Sequence, residues 1–246
     1  MNGDTNGDPM EGMLTLLSFG ADGWSDQLAT GVLVTVSLAL ATLPLGLAAG
    51  FLVSLAKQSE ERSLRFAANI YTTIFRGLPE LLTLFLVFYG AQLGLQRFLA
   101  IVSPGTQIEI NAFVAGMVAL GVVFSAYASE VFLSAFRAIP RGQYEGGWSI
   151  GLSNWQTMRL VILPQLIRIS LPGLSNLWLI LLKDTALVSV IGLSDIIRQA
   201  GIAARVTREA LLFFGIACLL YLVLAIISSI AIGRIERWAG RMETSR

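Results

Sequence analysis

Long apolar stretches separated by short polar segments set the plan of this chain. Residues 27–56, 81–96, 110–129 and 210–233 carry no charge, and residues 169–190 are apolar except for Lys183 and Asp184. A helix needs about 20 mostly apolar residues to cross a bilayer. The pattern therefore predicts five spanning helices, at about 28–56, 70–96, 110–130, 168–190 and 210–233. The second extends back to Ile70 only through Arg76 and Pro79, and the fourth contains its charged pair. Residues 1–26 read as a short polar tail, 27–233 as one membrane domain and 234–246 as a second tail. No internal repeat or low-complexity segment interrupts this plan. Gly46-x-x-x-Gly50 and Gly90-x-x-x-Gly94 suit close approach between helices of this chain.

Composition agrees with the pattern and narrows it. Apolar residues make up 55% of the 246 and charged residues 13%, against roughly 25% charged in soluble domains. Mean hydropathy is +0.72. Too few charges remain to solvate a soluble surface of this size, so the fold class is an all-α integral membrane bundle of five helices. The net charge of +1 gives no reason to expect a nucleic-acid partner. The chain has no His, and its one cysteine, Cys218, sits in an apolar run. An internal disulfide, a Cys-based metal cluster and a His-based zinc site are thereby excluded, and no cofactor is expected in this chain.

Charge also predicts orientation. The first 26 residues contain five acids and no Lys or Arg, so they lack the basic start of a secretory signal. Lys57, Arg62 and Arg65 follow the first span; Arg137, Arg141, Arg159 and Arg168 follow the third; Arg234, Arg237, Arg241 and Arg246 follow the fifth. Positive segments stay on the cytoplasmic side, which places the N-terminus outside and the C-terminus inside. Arg198, Arg205 and Arg208, between the fourth and fifth spans, run against this rule.

The connector over 137–167 is far longer than two neighbouring spans require. Ser153 followed by Gln156 forms a capping-box pattern, and Gly151 suits a helix stop. The reading is a short helix, a tight turn and a second helix leading to Pro164. Such a knob fits either a groove on a partner protein or the lipid headgroups.

Here the sequence resembles a known family. Glu145, then Gly151, then Val161-x-Leu163-Pro164 is similar to the signature loop of ABC importer permeases: Glu-Ala-Ala, three residues, Gly, nine residues, Ile-x-Leu-Pro. Gly146 and Gly147 replace the alanines and Val161 the isoleucine. Phe75-Arg76-Gly77-Leu78-Pro79 resembles the Arg-Gly-x-Pro segment of polar amino-acid permeases. Leu182-Lys183-Asp184-Thr185-Ala186-Leu187 resembles their Leu-Lys-Asp-Thr-Ser-Leu. The closest branch in pattern is the histidine/lysine/arginine/ornithine and octopine/nopaline permeases. The resemblance implies a type I ABC importer permease of the bacterial inner membrane. It implies as partners an ABC ATPase subunit dimer, a second homologous permease subunit forming a heterodimer, and a periplasmic amino-acid-binding protein. It also implies that Glu145, Gly151, Leu163 and Pro164 couple the chain to the ATPase, which alone hydrolyses ATP. Relatives place Glu after the Asn matching Asn176, where this chain has Leu177; the partner subunit would then supply that carboxylate.

Three acids lie in or beside the spans. Pro79 breaks the second span, and Glu80 begins the half-helix after it, where the helix dipole favours a carboxylate. Broken helices are where transporters build sites. The bland alternative pairs Glu80 with Arg76 four residues earlier. Asp184, about 24 Å along a helix starting at Arg168, falls inside the membrane or near its outer edge; it is either ligand-facing or an interfacial charge reaching water. Glu130, closing the third span, reads first as a boundary charge. Glu80 and Asp184 are thus the candidate substrate-binding residues. No P-loop and no acid/base pair suggest an enzyme. The competing reading is a secondary transporter that couples protons through Glu80, Glu130 and Asp184.

Overall fold

The computed structural model describes residues 15–20, 23–102 and 110–244. Asp4, Asp8, Glu11, Asp22, Glu109 and Arg246, which figured in the charge pattern, lie outside the described residues. Among the described residues, five helical stretches are long and apolar enough to cross a membrane: Ser25–Gln58, Glu80–Phe98, Ala112–Ala138, Asn154–Ile191 and Ala210–Arg237.

Helix α1 (Ser25–Gln58) opens with Asp26 and closes with Lys57, each opposing the helix-dipole charge at its end. Helix α2 (Arg62–Gly77) ends where Leu78 turns extended, at ψ 141°. The residue before a proline is pushed out of the helical region, so Pro79 forces this break. Helix α3 then begins afresh (Glu80–Val102). The span expected over 70–96 is therefore two helices, and only α3 crosses. Helix α4 (Ala112–Ala138) is capped by Asn111, whose side chain accepts from the Phe113 amide.

Helix α4 is the hub of the bundle. A Cβ on Gly46 would lie 2.5 Å from the Phe124 ring, and one on Gly50 would lie 2.8 Å from the Ala128 Cβ. The first glycine pair thus lets α1 press directly on α4. Gly90 and Gly94 have nothing within 4 Å of a built Cβ. Among the described residues the second pair therefore makes no close helix contact, contrary to the sequence expectation. Contacts 46 with 124, 50 with 128 and Lys57 with Glu130 rise together, so α1 and α4 run the same way. Helix α3 runs opposite, with Gln92 accepting from the Ile110 amide at the start of α4.

After α4 come two short helices, α5 (Arg141–Ser149) and α6 (Asn154–Thr157). Helix α6 widens through a π-turn (Met158–Ile162) into α7 (Leu163–Asp184). The Leu163 amide reaches back to the Met158 carbonyl. Pro164 has no amide to donate, and its ring crowds the preceding turn; a wider turn absorbs both. The fourth span is therefore continuous from 154 and begins well before the expected residue 168. Helix α7 runs antiparallel to α4, with Gly173 against Val131 and Val188 against Gly116.

At the end remote from α5, the helix tightens into a 3-10 turn (Thr185–Ile191) and stops at Gly192, φ +98°. Asp195 caps the amphipathic helix α8 (Ile196–Thr207), which packs between α1 and the last helix, α9 (Ala210–Thr244). Residues 195–209, expected as a simple connector, thus form a second small core with Leu28, Phe213 and Ala217. Trp24 meets Phe213 edge-on there, at 6.2 Å. Ser175 on α7 bonds Glu236 on α9, while the start of α9 packs with the start of α1, so α9 runs parallel to α1 and the start of α1 and the end of α9 lie at opposite ends of the bundle.

Candidate translocation site and docking knob

Asp184 sits where α7 tightens into the 3-10 turn. It shares a recess with Leu120, Val123, Phe124 and Tyr127 of α4 and with Leu177, Ile180 and Leu181 of α7. Residues 120–127 are the middle of α4. Asp184 is therefore inside the bundle, between Val188, which meets Gly116 near the start of α4, and Leu177, within the range the sequence allowed.

Glu80, on the first turn of α3, lies within electrostatic reach of Asp184. The break at Leu78–Pro79 thus delivers one carboxylate to the other across 104 residues of sequence. Neither belongs to an ion pair among the described residues. The expected Arg76–Glu80 pair is absent. The Arg76 guanidinium instead lies 3.2 Å from Glu130 and 5.5 Å from the centre of the Tyr127 ring. Extended backbone at Leu78 carries Glu80 away from Arg76, whereas an unbroken helix would have stacked them. Glu130 also receives Lys57, whose side chain is 5% exposed. Glu130 is thus more than a boundary charge: it holds α1, α2 and α4 together. Tyr71 adds a second tie between α2 and α4, sharing a 2.6 Å bond with Ser125.

The recess offers the Asp184 carboxylate against an apolar and aromatic wall, with Glu80 within electrostatic reach. Unpaired charge in a low-dielectric setting is costly, so the pair is matched by a cation with ammonium or guanidinium donors. Enclosed space is only about 20 Å³, room for about one water and far short of an amino acid. Leu177 forms part of the wall.

The second feature is the knob of α5 and α6. Ser153 and Gln156 form the anticipated capping box, each side chain accepting from the other's backbone. Gly151 has φ +83° and open space around it. Its need for glycine is therefore conformational, as the helix stop expected from the sequence requires. The close contact is at Gly147, where a Cβ would lie 2.6 Å from Thr157. Glu145 and Gly151 are exposed on the knob. Leu163 and Pro164 are not beside them: Leu163 packs into the main core and Pro164 starts α7. The four residues are thus spread from the exposed knob to the start of α7 and do not form one patch. Sequence reasoning passed over the knob's apolar surface, including Trp148, Ile150 (77% exposed) and Trp155 (71%). Two tryptophans within eight residues of a polar connector were the available signal. Tyr144 and Val161 pack against the main core, and Gln165 on α7 donates to Gln143 on α5 at 3.0 Å. Force on the knob therefore reaches α7 directly.

Comparison with known proteins decides what this arrangement belongs to. Residues 42–241 match the family described as the binding-protein-dependent transport system inner membrane component. The chain belongs to that family. Among permeases of known system, it is 42% identical over 230 residues to the nopaline transport system permease of Agrobacterium fabrum, covering 93% of this chain and 97% of that one. It is 38% identical to the arginine ABC transporter permease of Haemophilus influenzae, with coverages of 87% and 94%. It is 37% identical to the histidine/lysine/arginine/ornithine permease of Salmonella typhimurium, with the same coverages. An amino acid ABC transporter solved with histidines superposes at a TM-score of 0.74 with 32% identity, covering 87% and 94%. The methionine transporter in an inward-facing form shares the fold at a TM-score of 0.65 and 19% identity, covering 86% of this chain and 95% of that one. This permease is thus a transporter component, and the proton-coupled secondary-transporter reading finds no support.

Proposed function

We propose that this permease passes cationic amino acids or opines across a bacterial inner membrane, driven by a separate ABC ATPase dimer. A periplasmic amino-acid-binding protein delivers the substrate, and a second, homologous permease subunit completes the pathway as a heterodimer. The knob is on the cytoplasmic side, with the N-terminus outside. The observation that carries the substrate assignment is the meeting of Glu80 and Asp184, both without an ion-pair partner, at the helix break. The relatives named for nopaline, arginine and histidine/lysine/arginine/ornithine transport favour the same class. A recess of about 20 Å³ holds no amino acid, so the site is a half-site closed by the second subunit. Glu145, Gly151 and the exposed Trp148 and Trp155 engage the ATPase; Leu163 and Pro164 pass its motion to α7.

Uptake of labelled arginine by vesicles containing the complete complex tests the site. Asp184→Asn and Glu80→Gln keep size and remove charge. Each is expected to lower uptake about tenfold or more, the loss of one hydrogen bond to a charged group, while the complex assembles in normal amount. Normal uptake by the double variant would move recognition to the partner subunit and end this assignment.

A further inference from the structure

The charges around Glu130 do not balance. Lys57, 5% exposed, already neutralises Glu130 at 2.5 Å, yet Arg76 is drawn to the same carboxylate oxygen. Arg76 is 44% exposed and therefore the surplus, movable member of the trio. Its guanidinium also lies over Tyr127, and Tyr127 lines the recess that holds Asp184. On the other side of the Leu78–Pro79 break stands Glu80, four residues away, a backbone span of at most about 14 Å. Two long side chains flanking that break close such a gap.

We propose that Arg76 is a positioning residue that trades between two carboxylates: Glu130 holds it while the site is open to substrate, and it turns to Glu80 when the site is empty of substrate and closing. This rests on Glu80 and Asp184 being the substrate carboxylates. Physically, a vacated pair of carboxylates repels itself in a low-dielectric recess. Lys183 already acts on Asp184, and the guanidinium parked over Tyr127 on the recess wall is a second charge able to relieve the pair at Glu80. Glu130 sets the balance, because its hold on Arg76 is a differential affinity between the two states. Lys57 makes the exchange possible, since Glu130 keeps a counter-ion when Arg76 leaves. Arg76 thereby competes with the substrate's own cation for Glu80.

The test is arginine uptake kinetics in vesicles with the complete complex, separating KM from kcat. Glu130→Gln should free Arg76 onto Glu80 and raise KM about five- to tenfold. Adding Arg76→Gln should return KM to near the starting value, because the competitor is gone. Because Glu130→Gln strands the buried Lys57, Arg76→Gln alone provides a second measure that leaves that pair intact; it should lower KM. In a Glu80→Gln background, with KM already raised, neither change should move KM further. A double variant as weak as Glu130→Gln alone, or a raised KM in Arg76→Gln, would make Arg76 a plain structural pair and overturn the exchange. Unchanged kinetics in Glu80→Gln itself would instead overturn the substrate site, and the exchange with it.

Discussion

Asp195 shows how one residue can set the condition of a whole junction. It is fully buried at the start of α8; one carboxylate oxygen accepts the Arg198 amide at 2.9 Å, and the other has no hydrogen-bond partner. Burial raises its pKa from 3.8 to about 6, against the opposing pull of the Arg198 amide and charge. The folded state thus holds this proton more tightly than the unfolded chain. Stability from this group is therefore greatest at acidic pH and declines as pH rises from about 4 through 6. Its full size is at most roughly 3 kcal/mol, two pKa steps of 1.36 each. Asp195→Asn keeps a capping oxygen and removes the titration. Thermal unfolding of the purified complex between pH 5 and pH 8 should then lose part of its pH slope, with the variant gaining most at pH 8. An unchanged slope would show that the carboxylate is solvated. Nothing in the local sequence singles out Asp195; its burial comes from Gly31 of α1, where a Cβ would sit 3.0 Å from the Asp195 backbone.

Elements carry the next set of consequences. Helices α1 and α4 meet through Gly46 and Gly50, and a Cβ at Gly50 would also approach the Ser125 carbonyl to 2.9 Å. Gly50→Leu must push backbone apart, so a loss of about 1–3 kcal/mol is expected, read as reduced complex yield and a lower unfolding temperature. Gly90→Leu, in open space, should leave the folding of this chain intact. The same spacing motif occurs twice in the sequence, and only neighbours in space separate the one that packs from the one that does not. In the knob, Gly151→Ala meets no atom but must adopt φ +83°, at a cost of roughly 1–2 kcal/mol. Substrate-stimulated ATP hydrolysis by the complex should fall, and Gly151→Trp should fall further through a clash with the ATPase. Undiminished stimulation in the tryptophan variant would remove the knob from the docking surface. The capping box and the glycine stop were legible because they are relations within four residues. The π-turn was not, because it answers a continuous helix that the sequence had divided at Arg168.

The molecule as a whole alternates direction through α1, α3, α4, α7 and α9, which puts its two ends on opposite sides. Under the proposed orientation, the arginines near the α9 end and the acids early in the sequence are expected to set which side is which. Thiol labelling of single cysteines at positions 5 and 244, in a background lacking Cys218, should mark the first from outside and the second only after permeabilisation. The reverse result would invert the knob and the ATPase with it. On that orientation Arg198 and Arg205 of α8 and Arg208 just after it lie on the outer side, while the apolar face of α8 packs against α1 and α9.

Sequence by itself determined the spans, the break at Pro79, the capping box and the family resemblance carried by Glu145, Gly151 and Pro164. Those are local properties: in lipid each backbone group must be satisfied within its own helix, so a span is decided by its own residues. Charge pairing was decided elsewhere. Arg76 goes to Glu130, Glu80 goes to Asp184, and Gly147 rather than Gly151 takes the close contact. Each of these depends on helices far apart in the chain arriving side by side. Electrostatics falls off with distance in space and takes no account of separation in sequence, so only the packed bundle could settle which charges meet.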